Sequence, residues 1–110
     1  MHFYGCTSLT SIAIPNGVTT IEDSTFYGCT GLTEITIPNS ISSIGYNAFK
    51  GCTGLTSITI PNTVIEMKNF VFDGWTSSQS IDVQFRQNEL PNGWKYSWNG
   101  NCEAQINYAQ

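Results

Sequence analysis

The chain repeats itself every 23 residues, and this period limits what it can fold into more than any other feature. Phe3, Phe26, Phe49 and Phe72 open successive copies. The first three copies share ten identical positions, in the frame F-x-G-C-T-x-L-T-x-I-x-I-P-N. A unit of this length cannot enclose a hydrophobic core alone, so it must stack on its neighbours. The sequence therefore predicts a solenoid.

Each copy contains one strand with a buried face. In the first copy Ile12 and Ile14 are two residues apart, so both side chains lie on one face of the strand. Pro15 ends that strand, because proline has no N–H to donate to a neighbouring strand. The second half of a copy, V-x-x-I-x-x-x-x-F, suits an extended piece followed by a 3₁₀ or α-helical turn that ends at the glycine. Stacked copies then form a parallel sheet.

The repeats and a terminal cap divide the chain into two parts. The copies span residues 3–25, 26–48 and 49–71, and a decayed fourth starts at 72, so the repeat region is 1–74. Residues 75–110 lose the period and are predicted to cap the open end of the core. Ala104–Ala109 alternates apolar and polar residues, which predicts a final strand. Met1 and His2 run directly into the repeat, so neither a signal peptide nor an N-terminal cap is expected here.

The combined pattern L-x-x-I-x-I-P-x-x-V-x-x-I-x-x-x-x-F-x-x-C resembles the BspA-like, Treponema-type leucine-rich-repeat family over residues 3–75. The resemblance implies a right-handed, β-rich solenoid with short helical turns and a parallel sheet on its concave face. It also implies a fragment of a bacterial or protist protein that is secreted or lies on the cell surface and serves adhesion and protein binding. An extracellular or cell-surface location of the full-length parent follows from the same resemblance.

Composition excludes several classes of function. The net charge is −4, so the chain lacks the basic footprint of a nucleic-acid-binding protein. No apolar run approaches the ~18 residues of a membrane span. His2 is the single histidine, and no carboxylate pair or phosphate-binding loop stands out, so no enzyme activity and no cofactor are expected.

The cysteines recur with the repeat. Cys6, Cys29 and Cys52 occupy one column, which predicts a ladder of buried free thiols. Their spacing does not fit a zinc site, so no metal is expected. A disulfide between neighbouring coils, or one from Cys102, stays open at this stage because sequence does not fix connectivity.

The outward strand positions form the candidate partner-binding surface, because solenoids bind partners on an extended face. The expected partner is a surface protein of a host or neighbouring cell. Gln79 is also expected to point outward on this surface. The candidate residues are Ser11, Ala13, Glu34, Thr36, Ser57, Thr59, Ser80 and Asp82.

The sequence also allows two alternative functions and predicts one homodimer contact. Trp94 and Trp98 are the alternative site, a sugar-binding platform, because aromatic rings stack on sugars as well as closing cores. An architectural stalk without a ligand is the other alternative. The uncapped first coil predicts a weak homodimer through residues 1–25, since exposed apolar ends and strand edges invite pairing.

Overall fold

The computed structural model describes residues 3–110, so Met1 and His2, where the predicted repeat region begins, lie outside the described residues. Short strands follow one another around a parallel-strand β-solenoid, as predicted, and all pairings between them are parallel. The strands are β1 (Ser11–Ala13), β2 (Thr20–Ile21), β3 (Glu34–Thr36), β4 (Ser43–Ile44), β5 (Ser57–Ile60), β6 (Glu66–Met67), β7 (Ser80–Val83), β8 (Gly93–Trp94) and β9 (Gln105–Tyr108).

The odd-numbered strands form the front side of the solenoid. β1 pairs with β3, and β5, β7 and β9 pair in that order, with equivalent residues of successive coils opposite each other. In β5 the side chains of Ile58 and Ile60 are buried, whereas Ser57 and Thr59 are exposed. This alternation confirms the predicted inward and outward faces of the strand.

The even-numbered strands form a second ladder, in the order β2-β4-β6-β8, which we call the back sheet. Its inward column is Ile21, Ile44, Met67 and Trp94, paired in register from one coil to the next. All four side chains are buried, at 7% exposure or less. The extended piece expected after each turn is therefore a true parallel strand.

The helical turn expected before each glycine is absent. Residues 22–31 form hydrogen-bonded turns, and within residues 3–110 the one 3₁₀ segment is Gln87–Glu89. Ser24 and Asn47 have φ of 59°, in the left-handed region, which breaks a helical run. Their N–H groups point out of the turn and bond to Tyr46 and Asn69 of the next coil. Single i→i+3 bonds remain within the turn, such as that from the Tyr27 N–H to the Ser24 carbonyl, but they alternate with bonds between coils and do not form a continuous helix.

Both ladders continue through residues 75–110. β8 adds to the back sheet, and β9 adds to the front side opposite β7, which confirms the predicted final strand. The link between β7 and β8 contains the 3₁₀ segment and is longer than in earlier coils, so the sequence period is lost while the stacking persists. The boundary at residue 75 stays a prediction.

Aromatic rings form the central column of the core. Phe3, Phe26, Phe49 and Phe72 stack with centroid distances of 5.6, 5.3 and 5.8 Å and nearly parallel planes. Trp98 meets the last ring edge-on at 6.1 Å. Such pairs contribute roughly 0.5–1.5 kcal/mol each beyond their buried area.

Candidate functional site

The outward side chains of the front strands lie together on one surface, which we call the front face. All eight predicted residues are on it. Ser80 and Asp82 are half-buried, and the other six are exposed. The pairing of β9 with β7 adds Gln105 and Asn107, which the sequence analysis missed because the period fails there. The two columns are Ser11, Glu34, Ser57, Ser80, Gln105 and Ala13, Thr36, Thr59, Asp82, Asn107.

The chemistry of the front face is that of hydroxyls and amides with little charge. Glu34 and Asp82 are its carboxylates, and they stand in different columns and different coils. Asn107 Nδ2 donates to Asp82 Oδ1 at 2.9 Å, so this carboxylate is already held by a neighbour. Within residues 3–110 no three His, Cys, Asp or Glu side chains converge in a way that suits a metal ion. The front face therefore presents many polar groups and few charges.

A cleft interrupts the front side between β3 and β5. In the described part of the chain no backbone hydrogen bond joins these two strands, although β4 and β6 of the same coils remain paired. The cleft has a volume of about 230 Å³. Ile35 at its margin is half-buried, whereas the equivalent Ile58 of the next coil is only 2% exposed.

Gln79 is buried, contrary to the expectation that it lies on the outward face. Its side chain is 3% exposed, and its Nε2 donates to the carbonyls of Cys52 and Leu55 at 3.0 and 2.7 Å. Its Oε1 accepts from the Thr76 N–H at 2.9 Å. Ser78 stands where earlier copies have leucine, and the longer Gln79 turns inward at this point instead.

The alternative of a sugar-binding platform at Trp94 and Trp98 does not fit the structure, in which both rings close the core. The two rings are 7% and 5% exposed and contact each other edge-on, with centroids 5.0 Å apart. Trp94 Nε1 donates to the Val64 carbonyl at 2.9 Å, so its polar edge is satisfied inside the core. Burial of large aromatic area at the end of the solenoid explains this placement.

The cysteine column is a ladder of hydrogen-bond donors. Cys29 Sγ donates to the Phe3 carbonyl at 2.8 Å, and Cys52 Sγ donates to the Phe26 carbonyl at 3.0 Å. Both side chains are buried, as predicted, while Cys6 is half-buried. Burial raises the pKa of Cys29 and raises the pKa of Cys52 to about 12. All four cysteines are free thiols, and those in the core are protonated and inert near neutral pH.

Another column runs along the outside of the turns. The Tyr4 and Tyr27 rings stack with centroids 4.8 Å apart, and Lys50 Nζ lies 5.1 Å from the Tyr27 centroid. The same Nζ is 3.7 Å from Asp73 Oδ2, and Asn101 Nδ2 donates to Asp73 Oδ1. Each of these side chains contacts the equivalent side chain of the next coil, so this column stabilises the stacking of the coils.

Solved structures resemble this fold over nearly the whole chain. A leucine-rich repeat protein from Bacteroides ovatus matches with 25% identity and a TM-score of 0.63, covering 97% of this chain and 38% of that protein. A leucine-rich repeat protein from T. pallidum matches with 20% identity and a TM-score of 0.63, covering 96% and 63%. A leucine rich cell surface protein from Faecalibacterium prausnitzii matches with 22% identity and a TM-score of 0.52, covering 93% and 32%. The chain thus spans less than two thirds of each of these proteins.

Two further findings complete the comparison. No curated protein matches the chain. In the described residues no helix has the length and apolar character needed to cross a membrane.

The family assignment follows from the repeats themselves. The family model of the BspA type leucine rich repeat region matches residues 1–96, with six copies. The match covers most of the 110 residues and extends beyond the three copies that are plain in the sequence. The chain therefore belongs to the BspA-type leucine-rich-repeat family.

Proposed function

We propose that this chain is a non-catalytic protein-binding module of a bacterial cell-surface protein, and that it attaches the cell to a surface protein of a host or neighbouring cell. The observation that carries the proposal is the front face, on which outward side chains from successive coils line up in two columns. Stacked coils give a solenoid an extended surface for binding large partners.

The composition of the front face supports a protein partner. Serine, threonine, asparagine and glutamine side chains both donate and accept hydrogen bonds, so they suit the mixed polar surface of another protein. The face carries few charges to desolvate, which lowers the cost of burying it. Acid and base groups do not converge on it, which favours binding over catalysis.

The location is supported by the family and by one structural neighbour. The chain belongs to a bacterial repeat family, and the protein from F. prausnitzii is itself a leucine rich cell surface protein. An extracellular, adhesive module is the function that this kinship and the polar front face favour together.

The test compares two double variants in a cell-binding assay. Thr36→Arg with Thr59→Arg places two long, charged side chains on the front face. Thr20→Arg with Thr53→Arg adds the same charge at exposed sites outside that face. The purified, fluorescently labelled chain is bound to intact mammalian epithelial cells and to bacterial cells, with and without protease treatment of the cell surface.

We expect the unmutated chain to bind, and protease treatment of the cells to abolish this binding. The front-face variant should lose at least tenfold in apparent affinity, whereas the control variant should bind as the unmutated chain does. Equal binding by both variants would place the contact elsewhere. Absence of binding to every surface tested would favour an architectural stalk. Binding that survives protease would exclude a protein partner.

A further inference from the structure

The cleft between β3 and β5 exposes backbone groups that every neighbouring strand pair uses. β3 bonds to β1 along its other edge, and β5 bonds to β7 along its other edge. The facing edges of β3 and β5 have no backbone partner in the described residues. Unpaired backbone N–H and C=O groups in a cleft must be satisfied by water or by a ligand.

The cleft is confined to the front side and does not separate the two coils elsewhere. On the back sheet Ser43 still pairs with Glu66, and in the turns that precede β3 and β5 the Gly28 N–H still bonds to the Lys50 carbonyl at 2.8 Å. The two coils are therefore held together around the cleft and apart only at the front. A pocket that is already open in the unbound chain needs little reorganisation to bind a ligand.

The lining combines hydrogen-bonding groups with a small apolar surface. No charged side chain is part of it. Hydroxyls and amides supply its polar groups, and the half-buried Ile35 at the margin supplies apolar surface. The groups that matter for recognition are Ile35, Thr36, Asn39, Ser57, Thr59 and Gln84.

From this arrangement we infer that the cleft binds one neutral pyranose ring, such as the terminal sugar of a surface glycan. Each sugar hydroxyl both donates and accepts, so it can pair with backbone N–H groups, carbonyls, hydroxyls and amides alike. The C–H face of the ring matches the apolar surface of Ile35, and the uncharged lining favours neutral sugars over acidic ones. The volume of about 230 Å³ lies below the range of drug-sized pockets, ~300–1,000 Å³, and suits a single ring.

This site is distinct from the buried tryptophans, and it shares Thr36, Ser57 and Thr59 with the front face. The lining has no aromatic ring for stacking, so a single sugar is expected to bind weakly, with a Kd of about 1 mM or higher, equivalent to roughly −4 kcal/mol. Repetition of the sugar on a cell surface would raise the effective affinity.

The experiment is a titration of the ¹⁵N-labelled chain with glucose, galactose, mannose and N-acetylglucosamine, followed by NMR. We expect at least one sugar to shift saturably the amide signals of residues 35–37 and 57–59. Hydrogen exchange supplies a second readout. Edge amides of β3 and β5 should exchange faster than those between β7 and β9, and the bound sugar should slow them.

Matched variants identify the groups responsible. Thr59→Val keeps the side-chain shape and removes the hydroxyl, and Gln84→Ala removes the amide. Each is expected to weaken binding at least fivefold. Thr10→Val removes an exposed hydroxyl on the first coil and is expected to leave the Kd unchanged.

Three results would overturn the inference: no saturable shift with any of the four sugars, saturable shifts confined to residues outside the cleft, or equal binding by Thr59→Val, Gln84→Ala and the unmutated chain. Glucuronic acid binding as tightly as glucose would contradict the neutral specificity. Periodate treatment of the target cells separates this site from the protein partner, because it destroys sugar rings and leaves a protein-dependent attachment in place.

Discussion

One position in each coil donates a hydrogen bond to the coil before it. Cys29 and Cys52 do so through their thiols, and Trp75, which replaces cysteine in the fourth coil, does so through its indole. Trp75 Nε1 lies 2.9 Å from the Phe49 carbonyl and donates to it. The residue type changes but the accepting carbonyl does not: each of these carbonyls already accepts the N–H three residues later, and the side chain of the next coil supplies its second hydrogen bond.

The thiol of Cys52 makes stability depend on pH. Its pKa of about 12 in the folded chain exceeds the ordinary value near 8.5, so the unfolded chain loses the proton first as pH rises. The free energy of unfolding is therefore undiminished by this group below about pH 8.5, and it falls between that pH and about 12. One group contributes a slope of up to about 1.4 kcal/mol per pH unit.

Cys52→Ser tests this linkage, because its hydroxyl does not titrate and can still donate to the Phe26 carbonyl. Urea unfolding of both chains between pH 7 and 10.5 should show the unmutated chain losing stability more steeply above pH 9. Parallel slopes would mean that Cys52 ionises equally easily in both states.

At the scale of strands, the cleft changes what a core substitution costs. Ile58 is buried and Ile35, its equivalent one coil earlier, is half-buried at the margin of the cleft. We expect Ile58→Ala to cost about 2–5 kcal/mol, the usual range for a buried isoleucine, and Ile35→Ala to cost clearly less. Thr59→Ala, on the exposed side of β5, should cost under about 1 kcal/mol. Urea midpoints measure all three, and equal losses for the two isoleucines would argue that β3 and β5 close together in solution.

Gln79 gives a sharper test of the fourth coil. Gln79→Leu would remove the side-chain bonds to the carbonyls of Cys52 and Leu55 and to the Thr76 N–H. The Cys52 carbonyl keeps its bond from the Leu55 N–H and Thr76 is exposed, so the buried group left unpaired is the Leu55 carbonyl. One such group costs about 1–3 kcal/mol, and the variant should lose about that much. Gln87→Leu, at an exposed site, should change stability by less than about 0.5 kcal/mol. A tolerated Gln79→Leu would mean that packing, and not the amide, holds this turn.

These elements also show where sequence reasoning succeeds. The phenylalanine and cysteine columns and the front strands were predictable, because identical residues at a fixed period must stack in register. The role of Gln79 was not predictable, because it depends on the space left by Ser78. The cleft between β3 and β5 was not predictable either. The strands on its two sides read T-E-I-T-I and T-S-I-T-I, so nearly the same residues pair elsewhere and separate here.

At the scale of the whole molecule, the two ends of the solenoid differ. Trp98 packs across the last phenylalanine of the central column, and β8 and β9 continue the ladders at that end. At the other end β1 and β2 are the outer strands of their sheets, and several inward side chains of the first coil are only half-buried, although Ile14 and Ile21 are buried. The half-buried ones include Phe3, Leu9, Ile12 and Val18.

We expect two copies to associate weakly through these first coils. A two-fold axis would bring the outer edges of two β1 strands together in antiparallel pairing and cover the outer faces of the two Phe3 rings. Two-fold dimers are the commonest closed assembly, and unpaired strand edges favour such contacts. The contact needs no change elsewhere in the solenoid.

A matched pair of variants at neighbouring positions tests the dimer. Phe3→Glu introduces a charge at the inward position of the first coil, whereas Tyr4→Glu introduces it at a side chain that is 65% exposed on the outside. Light scattering over a concentration series should show association of the unmutated chain and of Tyr4→Glu, and its loss in Phe3→Glu. Amide NMR signals of residues 49–110 provide the control for folding, because the inner coils do not depend on the first ring. A monomeric unmutated chain at millimolar concentration, with its first coil ordered, would contradict the expectation, because the half-buried side chains and strand edges would then be stable in water on their own.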